Sequence, residues 1–561
     1  MTTAIWPART AQLAGLGVGI GLAIHALLPM PLLQPALGDL TIIAGLTTLG
    51  ASFAIVLERT RLRLAIGFAL LAAAVAAGAS WFAGGTGGLE DAEVWRLVSA
   101  GIAIAIAAPL FQAWRDAGAK GHHIPYVAAH DRAWTNLVLV AAALAFLGVC
   151  WLLMALLAGL FDLIGIEVLT RLLDQRWFGL MLSGGALLGG IGLLRDQMAI
   201  LSTLQRVLRF VLSVLAPVLA LGLLLFLAAL PVTGLAPLWQ ATRSTTPILL
   251  ACVIGALVLA NAIIADQPGD ESRSRLLRLA ALLLALALLP LAGIAAVSVA
   301  RRIGQYGLSP DRLWAVTFVG VAMLYGVVYA GAVLRRAGWM ADVRRGNLGM
   351  GVLLCGVALL LSTPLIDFGA LSTRSQLARL ESGRVSPADF DWAALRYDFG
   401  AKGRRALTDL GRSRDPAIAD RAREALKTTN RWDARRLNQP PVDVTALQSR
   451  LRILPAGAVP PLALLRAIAG NGECNGKQTC VLLIDKDRAR LFQETSNDVY
   501  LLEWRRTQAG PTEDWQLGDE PTLKTPPPSQ HRPLADATIE VRTVERRQLF
   551  VDGKPVAEWF E

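Results

Sequence analysis

The sequence predicts an α-helical polytopic membrane bundle of about eleven spans, followed by a soluble α+β C-terminal domain with a helical neck and a small antiparallel β module. Three observations carry this prediction. The 561 residues are 54% hydrophobic and only 17% charged, with a mean hydropathy of +0.48, whereas an average soluble domain is roughly 25% charged. The deficit is uneven: Ala, Leu, Gly and Val runs fill the earlier part of the chain, and its last third has ordinary soluble composition. The final apolar run, Leu348–Ile366, carries no charge and separates the two regimes, with Arg344 and Arg345 before it and Asp367 after it.

Each apolar run is about 20 residues, close to what a hydrocarbon core of ~30 Å requires at ~1.5 Å per residue. In order they are Ala11–Met30, Leu40–Leu57, Leu64–Phe82, Leu97–Trp114, Trp134–Phe161, Phe178–Leu194, Val211–Val232, Pro247–Ala265, Leu276–Ala300, Leu313–Leu334 and Leu348–Ile366. Lipid offers no hydrogen bonds, so each run must satisfy its backbone internally, which selects helices. The first run is too long for a signal-peptide core, and no A-x-A site follows it. The expected divisions are 1–367 for the bundle, 368–438 for the neck and 439–561 for the β-rich extracytoplasmic module.

Basic residues set the expected orientation. One set of alternate loops carries Arg59, Arg61 and Arg63, then Arg115, Lys120 and Arg132, then Arg195, Arg206 and Arg209. It continues with Arg273, Arg275 and Arg278, then Arg335, Arg336, Arg344 and Arg345. The other set is poorer; its one basic member holds Arg301, Arg302 and Arg312. The richer set is therefore expected in the cytoplasm. An odd number of spans then places the C-terminal domain in the periplasm. The net charge of +11 resides mainly in short loops, where it serves topology and lipid headgroups rather than nucleic acid.

Cysteines supply a second indication. Cys150, Cys252 and Cys355 lie within apolar runs, whereas Cys474 and Cys480 flank a short polar stretch, Asn475–Thr479. In an oxidising compartment this pair is expected to form a disulfide, worth about 2 kcal/mol in the chain-entropy model. Small-residue faces recur: Gly15, Gly17, Gly19 and Gly21, then Gly185 and Gly189. They predict close helix packing within the bundle.

Beyond the bundle, Ser386-Pro387 reads as a helix start, and Asp415-Pro416 repeats the logic before Ala417–Leu426. Pro440-Pro441 and Pro526–Pro528 mark breaks. Strands are expected at Thr479–Ile484, Ala489–Phe492, Val499–Trp504, Thr538–Val544, Gln548–Val551 and Val556–Phe560, with a hairpin turn at Asp552-Gly553.

Chemistry-bearing patterns are sparse. No H-E-x-x-H, G-x-S-x-G or dinucleotide-binding glycine motif is present. Gly476-Lys477 fails as a phosphate loop, because Asn471 replaces the first glycine and Gln478 the Ser or Thr that would hold magnesium. His122, His123 and His130 share a loop without a matching Cys or acid, so no metal site is expected. His25 and Asn261 are polar groups inside spans and should face the bundle. Arg301, Arg302, Tyr306 and Arg312 form a cationic, aromatic outer loop fit for a lipid headgroup, a phosphate or the neck.

At this loop the stretch Arg302–Trp314, RIGQYGLSPDRLW, resembles the signature of a bacterial family of inner-membrane proteins, domain of unknown function 4153. Supporting stretches are Pro125-Tyr126 with Trp134–Asn136, Leu160-Phe161 with Ile164–Ile166, and Leu230–Trp239. Asn261, Leu371–Gln376, Phe390-Asp391 and Leu395–Tyr397 also agree. Together they cover about Pro125–Gly400. Ala129-His130-Asp131 departs from the more apolar stretch expected before Trp134. The resemblance implies a multi-pass inner-membrane protein and brings no activity or catalytic residue.

The expected role is a non-enzymatic envelope protein presenting a periplasmic partner-binding or sensing domain, without a cofactor. Its expected partners are the bilayer and an envelope protein or anionic lipid. One alternative is a transporter or lipid flippase acting through the bundle. Another is a membrane-embedded transferase with a lipid-phosphate donor, using Asp39, Glu90, Asp91 or Glu93.

Overall fold

The computed structural model describes residues 8–27, 37–83, 91–119, 121, 123–235, 245–336, 338–429, 431, 434, 444–455, 457–470, 474, 480–485, 487–494, 499–507, 514–518, 550–551 and 554–555. Two units are present, Met1–Lys427 and Thr428–Glu561.

The first unit is helical. Its elements are α1 (Arg9–Leu27), α2 (Leu37–Val56), α3 (Leu62–Ala83), α4 (Asp91–Asp116), α5 (Tyr126–Asp162) and the short α6 (Val168–Leu173). Then come α7 (Arg176–Asp196), α8 (Met198–Thr233), α9 (Thr245–Ile264), α10 (Arg275–Tyr306), α11 (Pro310–Leu334) and α12 (Trp339–Ser362). Among the described residues eleven helices are long and apolar enough to cross a membrane, all of these except α6. Large apolar side chains point outward: Leu137, Leu144, Val149, Leu152, Leu156 and Leu160 are exposed along α5 alone. Such a surface is at home in hydrocarbon and costly in water.

Small residues hold the bundle together, as expected where lipid removes the hydrophobic drive between helices. On α1, Gly17 and Gly21 are buried against α7, where a Cβ on Gly17 would overlap the Gly184 carbonyl and one on Gly21 the Leu180 carbonyl. Gly185 and Gly189 meet the same helix at Val18 and Ala14. Gly15 and Gly19 face open space. The most enclosed span is α10, whose Ala280, Ala281, Leu284, Ala285, Leu288 and Leu291 are buried against α8, α9 and α11.

Four further helices complete this unit: α13 (Phe368–Glu381), α14 (Trp392–Tyr397), α15 (Gly400–Leu410) and α16 (Pro416–Lys427). Asp367 and Asp391 cap α13 and α14 by accepting from the Ala370 and Ala394 amides at 3.0 Å each. Asp415 accepts from the Ala417 amide at 2.9 Å, at the predicted start of α16. Ser386 does not start a helix: its hydroxyl accepts from the Asp389 amide and donates to the Asp389 carboxylate, closing a turn. The better-placed capping carboxylate of Asp391 moves the helix start to Trp392.

The second unit holds a five-stranded sheet in the order β1 (Leu451–Leu454), β2 (Cys480–Asp485), β3 (Arg488–Glu494), β4 (Val499–Thr507), β5 (Asp514–Leu517). It also contains the short helices α17 (Val444–Gln448) and α18 (Leu462–Gly470). The sheet is mixed, which corrects the antiparallel expectation. Pairs β2–β3, β3–β4 and β4–β5 are antiparallel, but β1 runs parallel to β2. The reason is α18, which lies between them in the chain and returns it to the same end of the sheet. Leu464, Leu465 and Ile468 of α18 pack with Leu482, Leu491, Trp504 and Trp515. Strands β6 (Phe550–Val551) and β7 (Lys554–Pro555) pair across the two positions predicted to turn. Asp552, Gly553, Pro440-Pro441, Pro526–Pro528, Asn475–Thr479 and the expected strands Thr538–Val544 and Val556–Phe560 lie outside the described residues.

Candidate functional site

The ends of α2, α4, α7 and α9 and the starts of α5 and α12 meet on one face of the bundle, and arginines fasten them. Helix C-termini leave carbonyls without intrahelical donors and carry partial negative charge. Arg115 donates to the Val56 carbonyl at 2.5 Å. Arg195 donates to those of Ala54 and Leu57 at 2.6 and 2.8 Å. Arg61 reaches the Arg115 carbonyl, and Arg344 donates to Ile264 at 3.1 Å while pairing with Glu271 at 2.9 Å. Arginines that read as topology signals therefore also close helix ends.

Inside this collar lies a cavity of about 620 Å³ between α2, α4, α5, α9, α11 and α12. It is open rather than sealed, and its walls are mainly Ala, Ile, Leu and Val. Its wall on α5 extends from Tyr126 to Val140, roughly 20 Å at ~1.5 Å per residue. No Asp, Glu, Lys or Arg is among its described lining residues.

Its polar groups are neutral amides, phenols, an indole, a hydroxyl and one imidazole. Asn261 donates to the Tyr329 hydroxyl at 2.7 Å, Tyr329 donates to Asn347 Oδ1 at 2.8 Å, and Asn347 Nδ2 donates back to Asn261 Oδ1 at 2.7 Å. This closed ring ties α9, α11 and α12 together. Asn347 also approaches the Tyr126 hydroxyl at 3.5 Å, and that hydroxyl meets His130 Nδ1 at 3.2 Å. Asn136 donates to Gln112 at 2.8 Å, which donates to the Ile55 carbonyl at 2.9 Å.

Other polar groups on the wall have no hydrogen bond among the described residues. Tyr325 contacts the Tyr329 ring edge-on, but neither its hydroxyl nor the Trp134 indole N–H has a hydrogen bond among the described residues. Pro109 within α4 supplies no amide to the Ala105 carbonyl, and both residues line the cavity.

The predicted site residues fall in different places. Asn261 lines the cavity; His25, Arg301, Arg302, Tyr306 and Arg312 do not. His25 has a buried Nδ1 without a hydrogen-bond partner among the described residues. The loop holding Arg301, Arg302, Tyr306 and Arg312 is fastened to α13. Gln376 donates to the Tyr306 and Leu308 carbonyls at 2.9 and 2.8 Å, Arg379 donates to Gln305 at 2.8 Å, and Ser375 accepts from the Leu308 amide at 3.2 Å. Arg312 sits over the Tyr306 ring at 5.4 Å and donates to the Gly307 carbonyl at 2.8 Å. Gly307 takes φ +74, which suits glycine. Arg301 and Arg302 stand in the last turns of α10. Trp314 stacks on Trp95 at 5.1 Å and meets Phe368 edge-on at 5.0 Å. In the second unit Cys474 and Cys480 are joined, with S–S 2.05 Å.

Among the described residues no group of three or more His, Cys, Asp or Glu could hold a metal ion. Sequence reasoning missed Tyr126, Tyr325, Tyr329 and Asn347 as a group. Their signal was spacing: Tyr325 and Tyr329 are one turn apart, and Asn347 immediately precedes the last apolar run.

No curated protein and no solved structure matches the chain. The family model described as a domain of unknown function (DUF4153) matches residues 42–410, a range that contains the whole cavity, the arginine collar and the loop holding Tyr306 and Arg312. A match over more than half of the chain identifies this multi-pass membrane protein as a member of the DUF4153 family.

Proposed function

We propose that the protein is a non-enzymatic component of the bacterial inner membrane whose bundle takes up a lipid-like amphiphile and whose C-terminal module faces the periplasm to bind a partner. The cavity carries this reading. A long apolar chamber that opens from a membrane bundle and has polar groups on its wall suits a molecule that is mostly hydrocarbon with a small head. The arginine-rich loops support the orientation, with N-terminus inside and the module outside. The arginines that close helix ends on that face add a structural reason for their clustering.

A transport or flippase reading requires a polar route through the bilayer. Among the described residues His25 and the loop arginines Arg301, Arg302 and Arg312 are not on the wall of the cavity that Asn261 lines, so that reading has less support. The transferase reading leans on Asp39, Glu90, Asp91 or Glu93; Asp39 is not among the described cavity-lining residues, and Glu90 and the side chains of Asp91 and Glu93 lie outside the described residues.

Gly351 provides the test. It lines the cavity, and a Cβ added there meets nothing within 4 Å, so Gly351→Leu should fill space without a clash. Full-length protein purified in mild detergent should retain extractable lipid-like material at near-stoichiometric amount. Gly351→Leu should lower that amount several-fold while remaining monodisperse. Equal retention by both proteins would remove the cavity as the binding site.

A further inference from the structure

We propose that the cavity selects an uncharged lipid whose head carries carbonyl or hydroxyl groups, and that Tyr325, Trp134 and the Ala105 carbonyl read that head. This rests on the lipid-site reading above and adds the ligand's chemical class.

The argument begins with charge. Taking an ionised phosphate or ammonium into an apolar chamber without a counter-ion costs far more than a few hydrogen bonds return. The described lining offers no fixed charge of either sign, although the collar nearby is rich in arginine. Anionic headgroups would be held at that collar, outside the chamber. A neutral head pays no such penalty on entry.

Depth points the same way. Trp134 lies eight residues into α5 from Tyr126, Tyr325 nine residues before the end of α11, and Ala105 eleven before the end of α4. At ~1.5 Å per residue Tyr325 and Ala105 lie roughly 14–16 Å inside the arginine-rich face, near the middle of a ~30 Å core, whereas Trp134, two residues after Arg132, stands near the cavity's arginine-rich end. The Asn261–Tyr329–Asn347 ring is closed on itself and asks nothing of a ligand. Among the described residues the Tyr325 and Ser52 hydroxyls, the Trp134 N–H and His130 Nε2 remain without a hydrogen bond, and Ala105 offers an acceptor that Pro109 does not engage. Neutral donors and an acceptor running from the arginine-rich end to mid-membrane depth match a carbonyl- or hydroxyl-bearing head. The apolar wall extending to Val140 takes the tail. Membrane quinones and diacylglycerols share this chemistry and are the two sources to distinguish.

The test uses the full chain in nanodiscs of phosphatidylethanolamine and phosphatidylglycerol, read by native mass spectrometry after adding decylubiquinone or dioctanoylglycerol. One of these neutral probes should form a saturable adduct, and whichever binds names the source. Phosphatidylglycerol should compete at least roughly a hundredfold more weakly. Tyr325→Phe combined with Trp134→Phe removes the phenol and indole donors with little change of shape and should weaken the adduct roughly tenfold or more. Gly351→Phe should abolish it, and Ala105→Phe serves as a second filling variant should the first misfold. A phospholipid adduct that Gly351→Phe abolishes and the double Phe variant leaves unchanged would overturn this inference while leaving the lipid site standing. An absence of any adduct sensitive to Gly351→Phe or Ala105→Phe would overturn the lipid site itself. A neutral adduct indifferent to the double Phe variant would overturn the assignment of the head-reading groups.

Discussion

At Glu503 two opposing effects act on one carboxylate. Burial pushes its pKa up, but hydrogen bonds from Arg490 and Arg505, with the charges of Arg490 and Arg488, outweigh burial and hold it below the usual carboxylate value. The arrangement follows from strand alternation: Leu502 and Trp504 face the core, so Glu503 faces the other side, directly opposite Arg490 on β3. Arg490 Nε donates to it at 3.0 Å and Arg505 Nε at 3.1 Å. A depressed pKa means that the carboxylate adds stability at pH above its unfolded value of about 4.3. That contribution is lost as pH falls through the lower folded value. Acidification should therefore sensitise the sheet to protease in the full-length protein. Glu503→Gln should be weaker at pH 7 but show a flatter loss between pH 5 and 3, measured by cleavage rates within β2–β4. An unchanged acid profile in the variant would remove Glu503 as the group responsible.

Among elements, the α1–α7 pair depends most sharply on small residues. Its backbones approach so closely at Gly17 and Gly184 that any side chain must separate the helices. Gly17→Val should cost at least about 1–3 kcal/mol, lower the melting temperature in nanodiscs and reduce the folded yield. Gly15→Val, on the open side of the same helix, should be tolerated; equal damage from both would refute the contact. The glycine pattern was legible in the sequence, as were the eleven spans, because hydropathy integrates over about 20 residues and tolerates local error. The cavity was less legible. Tyr325 and Tyr329 sit in a span that satisfies every hydropathy criterion, since a phenol ring counts as apolar until its hydroxyl is placed. Asn347 fell one residue outside the expected last span, although α12 begins at Trp339. Strand β1 escaped for another reason. Leu451–Leu454 is four residues long, and its parallel partner lies beyond a helix, so no local turn announces the pairing. The loop holding Tyr306 and Arg312 was visible as a set of arginines, but its ties to Ser375, Gln376 and Arg379 depend on tertiary contact.

At the scale of the whole molecule, the proposed orientation rests on arginine placement and on the eleven candidate spans among the described residues. A phosphatase reporter fused after Glu561 should be active, because that enzyme folds only beyond the inner membrane, while a fluorescent protein requiring the cytosol should stay dark there. The reverse result would invert the bundle and place the Cys474–Cys480 pair in a reducing compartment. The Gly17–Gly184 contact has a final consequence, for biogenesis. At roughly 5–20 residues per second, the ribosome needs on the order of ten to thirty seconds between these two glycines. Throughout that interval α1 resides in the membrane with its partner still unsynthesised, its bare groove open to any passing transmembrane segment. Assembly of this half of the bundle thus waits on the synthesis of α7, which alone supplies the Gly184 backbone that Gly17 meets.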